Sequence, residues 1–155
     1  MSTEGNQPVK GTPDALVQKS GEKTLTATVF GYERPKELVK DKTIVRLCRS
    51  DLVYSTIQVL REGGENNLHA HPAQDGIWMV IKGSARFYGN DNALLADLGP
   101  MQGIHIPRGF FYWFESTGSE PLELMQIEAI DKAVENRRLD ATPRRDPREQ
   151  VQHIG

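Results

Sequence analysis

The chain is 155 residues long, with 37% apolar and 26% charged residues and a formal net charge of −2. That length allows one domain with a sizeable core, and the near-neutral charge predicts no nucleic-acid or membrane surface. The N-terminus lacks the apolar core of a secretory signal, and no apolar run reaches the roughly eighteen residues that span a bilayer. A single cysteine, Cys48, fits a reducing compartment, so we expect a cytoplasmic protein.

The first part of the chain has little strand or helix character. Residues 1–23 are polar and rich in glycine, proline and lysine, which predicts a flexible arm; residues 14–19 could form one helical turn before Gly21 ends it. From Thr24 a β-branched, alternating segment predicts a strand over residues 24–30. Pro35 and several charges then predict a loop or short helix over residues 33–40.

Short strand patterns separated by turn residues follow as far as residue 130. The candidate strands are KTIVRLCRS, DLVYSTIQVLR, GIWMVIK, SARFYG, ALLADL, GIHIP, FYWFES and PLELMQIEAI. Many short strands at nearly regular spacing are typical of an all-β barrel or jelly roll. We therefore predict an all-β barrel over residues 24–130.

Residues 131–155 form a segment of different composition, with many charges, two prolines and few large apolar groups. Such a segment buries too little apolar surface to offset the entropy of ordering it. We predict a polar, solvated tail, in which residues 132–139 could form one short helix. The RRDPRE run at residues 144–149 could bind an anion, but a solvated tail is the stronger interpretation.

The most informative stretch of the chain contains His69 and His71. On an extended segment, residues i and i+2 project from the same face, so the two imidazoles can share one metal ion or one substrate. Gly63 precedes the pair, and an apolar run leads on to a turn at Gly83.

This arrangement resembles the first motif of the cupin superfamily: Gly, five residues, His-x-His, three or four residues, Glu, six residues, Gly. The segment MQGIHIPRGFFYWFES resembles the second motif, which Pro107 and Gly109 match. The resemblance covers roughly residues 51–130. It implies a double-stranded β-helix, and an N-terminal strand that crosses to a second subunit of a homodimer.

The departures from the cupin motifs bear on function. Gly76 stands at the glutamate position, and Tyr112 stands at the position of the third histidine. Of the four usual metal ligands, His69 and His71 remain. These two favour a divalent metal ion such as Fe, Mn, Ni or Zn, all of which accept neutral imidazole. The alternative is a histidine pair left over in a metal-free pocket.

Four further residues could complete the site. Tyr112 could bind a metal as a phenolate, although its ordinary pKa near 10 favours a pocket wall or a hydrogen-bond donor. Gln74 and Asp75 lie just before the missing glutamate, and either could reach inward if the loop register shifts; because neighbouring strand residues face opposite ways, direct substitution by Asp75 is the weaker alternative. His105 could replace the lost ligand or act as an acid or base, although a structural histidine is the commoner case.

We expect an aromatic pocket with a few polar groups around the histidines. The aromatic candidates are Trp78, Phe110, Phe111, Tyr112 and Trp113, and the polar ones are Gln74, Arg86, Tyr54, Gln58 and Gln126. Core packing explains most of the rings equally well.

The leading functional hypothesis is a small-molecule-metabolising cupin that depends on a divalent metal, with dioxygenase, lyase or isomerase activity. One alternative comes from a similarity to the cupin-fold sugar-nucleotide ketoisomerases, which implies that the histidines transfer protons without a metal. The other is a non-catalytic, ligand-binding cupin. We expect a small-molecule ligand and no nucleic-acid or membrane partner.

Overall fold

The structure is a computed structural model that describes residues 16–61, 65–144 and 151–155. It confirms the all-β prediction. The strands are β1 (Val17–Ser20), β2 (Lys23–Thr26), β3 (Lys42–Arg49), β4 (Val53–Leu60), β5 (His69–Ala70), β6 (Gln74–Lys82), β7 (Ala85–Tyr88), β8 (Leu94–Leu98), β9 (Gly103–Ile106), β10 (Trp113–Ser116), β11 (Leu122–Ile130), β12 (Leu139–Asp140) and β13 (Val151–Ile154). Within the described ranges, no helix is long and apolar enough to cross a membrane.

Two sheets enclose the main core. A six-stranded sheet has the order β13-β3-β4-β11-β6-β9, and a three-stranded sheet has the order β10-β7-β8. Leu60, Trp78 and Leu124 from the large sheet pack with Phe87 and Phe114 from the small one. Side chains of both sheets therefore meet in one apolar layer, which is the packing of a jelly roll.

A second apolar cluster covers the opposite face of the large sheet. Val45, Leu47, Ile57 and Val59 alternate with inward-facing residues of β3 and β4, and Tyr32, Leu38 and Ile154 pack against this cluster. The Tyr32 hydroxyl donates a 2.6 Å hydrogen bond to Glu123. Residues 33–40 form a loop, so of the two predicted alternatives the loop is correct.

The N-terminal segment corrects two expectations. Val17–Ser20, expected to lie in an arm with at most one helical turn, is strand β1, which pairs with β2 as a hairpin. Gly21 occupies the turn at a φ of 61°, where a residue without a Cβ is favoured. The strand predicted over residues 24–30 ends at Thr26, because Thr26 pairs with Val17 at the start of its partner.

The C-terminal segment packs against the barrel. The short helix expected over residues 132–139 does not form; instead Leu139–Asp140 is strand β12, which pairs with β5. Val151–Ile154 forms β13, which runs parallel to β3 and supplies the edge of the large sheet. Both segments hydrogen-bond to strands that would otherwise present unpaired edges. Most of the RRDPRE run lies outside the described residues, and so does Gly63.

Candidate functional site

A cavity of about 340 Å³ lies on the inner face of the large sheet. That volume suits a small metabolite. Its lining residues are Lys42, Ile44, Tyr54, Thr56, Gln58, Asn66, His69, His71, Trp78, Tyr112, Gln126, Glu128, Arg138, Arg144, Val151 and His153.

Strand alternation explains most of this lining. Tyr54, Thr56 and Gln58 occupy every second position of β4, and Gln126 and Glu128 do the same on β11. Polar side chains thus replace apolar ones on the inner face at this end of the sheet. The inner face is apolar where the main core lies and polar where the cavity lies.

His69 and His71 lie together in the cavity wall, with ring centroids 5.0 Å apart. The backbone of His69 pairs with that of Tyr112, which anchors this segment to the second motif. The His69 Nδ1 atom lies 2.6 Å from the backbone carbonyl oxygen of Asn67. Because a carbonyl only accepts hydrogen bonds, Nδ1 carries the proton and Nε2 keeps its lone pair.

The electrostatic surroundings keep both imidazoles neutral. Burial, and secondly the nearby Arg138 guanidinium, lower the pKa of His69 to about 3 and that of His71 to about 4. A neutral imidazole is the form that binds metals and accepts protons.

Glu128 is a functional candidate that the sequence analysis did not identify. It is only 9% exposed, and burial raises its pKa to about 7. The Gln126 side-chain amide donates a 2.5 Å hydrogen bond to its carboxyl, and Gln58 donates a 2.8 Å bond to Gln126. This chain of amides fixes the carboxyl at the cavity surface.

The position of Glu128 is also informative. In the ladder between β11 and β6, Glu128 lies directly opposite Gly76, the residue at the glutamate position of the first motif. Directly opposed residues of antiparallel strands project from the same face. A carboxylate is therefore present on this face, but on the neighbouring strand. The signal that could have revealed it is strand register, which the first motif alone does not supply.

Tyr112 and Trp78 lie in the cavity wall as expected, and the burial of Tyr112 favours its neutral phenol over a phenolate. It is 3% exposed, and burial raises the pKa of its hydroxyl further above the ordinary value. A buried neutral phenol serves as a wall and a hydrogen-bonding group. The nearby Trp78 N–H partly offsets this rise in the pKa, although no hydrogen bond of normal geometry joins it to another described residue.

Gln74 lines a narrow extension of the cavity beside His71, Gly76 and Glu128. The adjacent Asp75 faces away, as alternation predicted, and accepts a hydrogen bond from the Arg108 backbone N–H at 3.0 Å. His105 lies on that outer side, with its side chain 58% exposed and its Nε2 3.3 Å from Asp75. The expectation that His105 could serve the site is therefore corrected: its partner across β6 is the outward-facing Ile77.

Three expected pocket residues also lie away from the cavity. Trp113 stacks on Tyr88 at 4.4 Å and donates a hydrogen bond to Asn92, because on β10 it is Phe114 that faces inward. Arg86 alternates with the buried Phe87 and pairs with Asp97 at the surface. Phe110, in the turn before β10, is 40% exposed.

The side chains around the cavity can be compared with the ligands that the expected divalent metal would need. Among the described residues, no group of three or more His, Cys, Asp or Glu side chains is arranged to hold a metal ion. His69 and His71 are neutral nitrogen donors, and the carbonyl behind His69 is the orienting partner commonly found at metal-binding histidines. The residues fit two ligands of a Fe, Mn, Ni or Zn ion, whose remaining positions would fall to solvent or substrate.

Neither a protein-family model nor a curated protein matches the sequence. Solved structures do match. An uncharacterised conserved Klebsiella pneumoniae protein with a double-stranded β-helix domain is 18% identical, with a TM-score of 0.59 over 72% of this chain and 87% of that chain. The Schizosaccharomyces pombe Cnp3 cupin domain is 17% identical, with a TM-score of 0.60 over 72% and 80% of the two chains. The DMSP lyase DddQ from Ruegeria pomeroyi is 21% identical, with a TM-score of 0.50 over 61% and 45%. At these identities the likeness concerns the fold alone.

Proposed function

We propose that this chain, which has the double-stranded β-helix fold of the cupins, is an enzyme acting on a small molecule, with a divalent metal held by His69 and His71. The observation that carries the proposal is the 2.6 Å contact between His69 Nδ1 and the Asn67 carbonyl oxygen. It fixes the tautomer in which the other ring nitrogen is free to bind, and it restrains rotation of the ring.

The surroundings of the two histidines support this reading. His69 is buried and His71 is partly buried, and their pKa values lie well below neutral pH, so a metal ion would not have to displace protons from them. A metal bound there would act as a Lewis acid on a substrate oxygen. Gln58 and Gln126 remain hydrogen-bonded in a chain to Glu128, which keeps that carboxyl in one orientation.

Glu128 supplies the proton-transfer group of the proposed reaction. Its carboxyl shares the narrow extension of the cavity with His71, and its pKa of about 7 lets it release or accept a proton near neutral pH. This pairing favours a lyase or an isomerase, in which a proton leaves or joins the substrate. The DMSP lyase is an example of an enzyme among the structurally similar proteins.

A second candidate function is proton transfer without a metal. It is favoured because, among the described residues, no group of three or more His, Cys, Asp or Glu side chains is arranged to hold a metal ion. In that case Glu128 and the neutral His71 would act as acid and base on a substrate carbonyl. The two candidates share one cavity and differ in what His69 and His71 bind.

Elemental analysis of protein purified without added metal distinguishes them. We expect near-stoichiometric Fe, Mn, Ni or Zn in the unaltered protein and loss of that metal in a His69→Gln/His71→Gln double variant. His105→Gln is the matched control, because His105 lies outside the cavity. Metal-free protein that also binds none of these ions on addition would refute the metal proposal and leave the proton-transfer function.

A further inference from the structure

We infer that the cavity binds its substrate through hydroxyl groups, with hydrogen bonds supplied by the side chains of Thr56, Gln58 and Trp78. The inference deepens the proposed function and rests on it in one respect, that this cavity is the substrate site. It names the chemical class of the substrate, a small molecule with several hydroxyl groups. It also assigns a role to polar side chains other than the histidine pair.

Three buried polar atoms in the cavity wall have no hydrogen-bond partner among the described residues. They are the hydroxyl oxygen of Thr56, the side-chain carbonyl oxygen of Gln58 and the indole nitrogen of Trp78. These residues are only 1%, 7% and 2% exposed. A buried polar group has lost its contacts with water, and the great majority of such groups in folded proteins recover a partner. We therefore expect a bound molecule to provide the partners that the described residues do not.

The three side chains are neighbours on the inner face of the large sheet. Thr56 on β4 lies opposite Gln126 on β11, which in turn lies opposite Trp78 on β6. Directly opposed residues of antiparallel strands project from the same face. Gln58, two residues beyond Thr56, lies on this face as well. One small molecule in the cavity can therefore contact all three.

The unpaired carbonyl oxygen of Gln58 follows from the chain of amides that ends on Glu128. The Gln126 amide nitrogen donates a 2.5 Å hydrogen bond to the Glu128 carboxyl, so the Gln126 carbonyl oxygen is left to accept. Gln58 donates its own amide nitrogen to that oxygen at 2.8 Å. The direction of the chain therefore leaves the Gln58 carbonyl oxygen at its end, as an acceptor.

There is room for a ligand atom beside the Trp78 N–H because a glycine lies next to it. Gly76 is two residues earlier on the same face of β6, and a Cβ at that position would lie 3.6 Å from the Trp78 Nε1 atom. A side chain at position 76 would thus begin in contact with the indole nitrogen. Gly76 instead leaves that place to a ligand.

The three groups have different requirements. The Trp78 N–H only donates, the Gln58 carbonyl oxygen only accepts, and the Thr56 hydroxyl can do either. A hydroxyl group both donates and accepts through one oxygen, so a molecule with several hydroxyls can pair with all three. A molecule without hydrogen-bond donors, such as a cyclic ether, would leave the Gln58 carbonyl oxygen unpaired. Sites built on such groups reject analogues that lack a hydroxyl.

The first test compares two buried threonines in the ligand-free protein. Thr56 and Thr43 lie on adjacent strands and are 1% and 0% exposed, but the Thr43 hydroxyl donates a 3.1 Å hydrogen bond to Gln152. Valine keeps the branched shape of threonine and removes the hydroxyl. We expect Thr56→Val to raise Tm by about 2–6 °C and Thr43→Val, the matched control, to lower Tm by a similar amount. If Thr56→Val does not raise Tm, its hydroxyl already has a partner and the inference is overturned.

The second test measures binding to the full chain by two-dimensional proton–nitrogen NMR. The chain has two tryptophans, so the indole N–H signal of Trp78 is followed beside that of Trp113, which donates a hydrogen bond to Asn92 outside the cavity. A Trp113→Phe variant assigns the two signals. The hydroxylated probes are D-xylose and glycerol. Tetrahydropyran, the xylose ring without its hydroxyls, is the matched analogue.

We expect at least one hydroxylated probe to move the Trp78 signal and to leave the Trp113 signal in place. Tetrahydropyran should bind less than about one tenth as tightly, and Thr56→Val should weaken binding of the hydroxylated probe about five- to tenfold, whereas Thr43→Val should not change it. A Trp78 signal that moves with neither hydroxylated probe, equal affinity for tetrahydropyran, or unchanged affinity in Thr56→Val would overturn the inference.

Titration of the His69→Gln/His71→Gln variant separates this inference from the metal proposal. Binding of the hydroxylated probe that survives in that variant and is weakened by Thr56→Val supports the hydroxyl site, whatever the metal analysis shows. Binding that is lost in the histidine variant but unchanged in Thr56→Val would mean that the histidines or their metal hold the probe. That result would overturn this inference and leave the metal proposal standing.

Discussion

Replacing Glu128 with glutamine should make the protein more stable at neutral and alkaline pH. The Glu128→Gln side chain keeps the size of the carboxyl and still offers an oxygen to the Gln126 amide, which donates the 2.5 Å bond. The substitution removes only the ability to ionise. In the unaltered protein, ionisation in the folded state requires a charge to form in a buried position that is 9% exposed.

The magnitude follows from the pKa. Burial raises the Glu128 pKa from 4.5 to about 7. Each pKa unit corresponds to about 1.4 kcal/mol, so the shift is worth about 3 kcal/mol. The stabilising effect of the protonated carboxyl is complete below pH 4.5 and is lost as the pH rises through about 7. The variant should therefore match the unaltered protein near pH 4 and exceed its stability by about 3 kcal/mol, or roughly 6–12 °C in Tm, near pH 8.

Urea unfolding of both proteins in chelator, at pH values from about 4 to 9, measures the difference. Both proteins should also lose stability as the pH falls below 6.5, because the lowered pKa values of His69 and His71 favour the folded state only while the unfolded imidazoles are neutral. This loss of stability is the same in both proteins, so it cancels in the difference between them. Glu120→Gln, which removes an exposed carboxyl paired with Lys82, controls for the change in net charge. A difference between Glu128→Gln and the unaltered protein that does not change with pH would refute the desolvation argument.

Two pairs of substitutions test the fold itself by urea unfolding. Gly103→Ala should lower the free energy of unfolding by about 1–3 kcal/mol, because its Cβ would lie 2.4 Å from the Trp78 carbonyl oxygen. Gly99→Ala is the control and should change stability little, since the nearest atom to its Cβ would be 3.7 Å away. Equal effects of the two substitutions would contradict the close approach of β6 and β9. Phe87→Ala should lower the free energy of unfolding by about 3–5 kcal/mol, since Phe87 is fully buried between the sheets. Phe110→Ala, at an exposed position, should lower it far less. Similar losses of stability in the two variants would contradict the assigned core.

The barrel could be predicted from the sequence because its strands are short, β-branched and separated by glycine, proline and asparagine. The face on which each side chain lies was harder to predict. The run from Phe110 to Phe114 contains only aromatic residues, so it shows no polar alternation that would distinguish the outward Trp113 from the inward Phe114. In β7 the alternation of Arg86 with Phe87 does carry this information, and it places Arg86 outside.

Glu128 was missed for a different reason. On β11 the apolar pattern points Leu122 and Leu124 inward, and the same face then continues with Gln126 and Glu128. Polar residues on a face that is otherwise buried contradict a simple hydrophobic pattern, and such contradictions are expected at functional sites. The register of β11 against β6 brings Glu128 opposite Gly76. Only this register shows that the polar end of β11 lies beside the histidine pair.

The C-terminal segment shows how far composition can mislead. Its charges and prolines are typical of a solvated tail, because composition measures how much apolar surface a segment can bury by itself. Here the partners are distant in sequence: β13 pairs with β3, and Gln152 accepts a 3.1 Å hydrogen bond from Thr43. Ladder hydrogen bonds to existing edges replace the missing apolar burial. The same segment brings Arg138 and His153 to the cavity, so a truncation chosen by composition would remove one wall of the site together with the edge of the sheet.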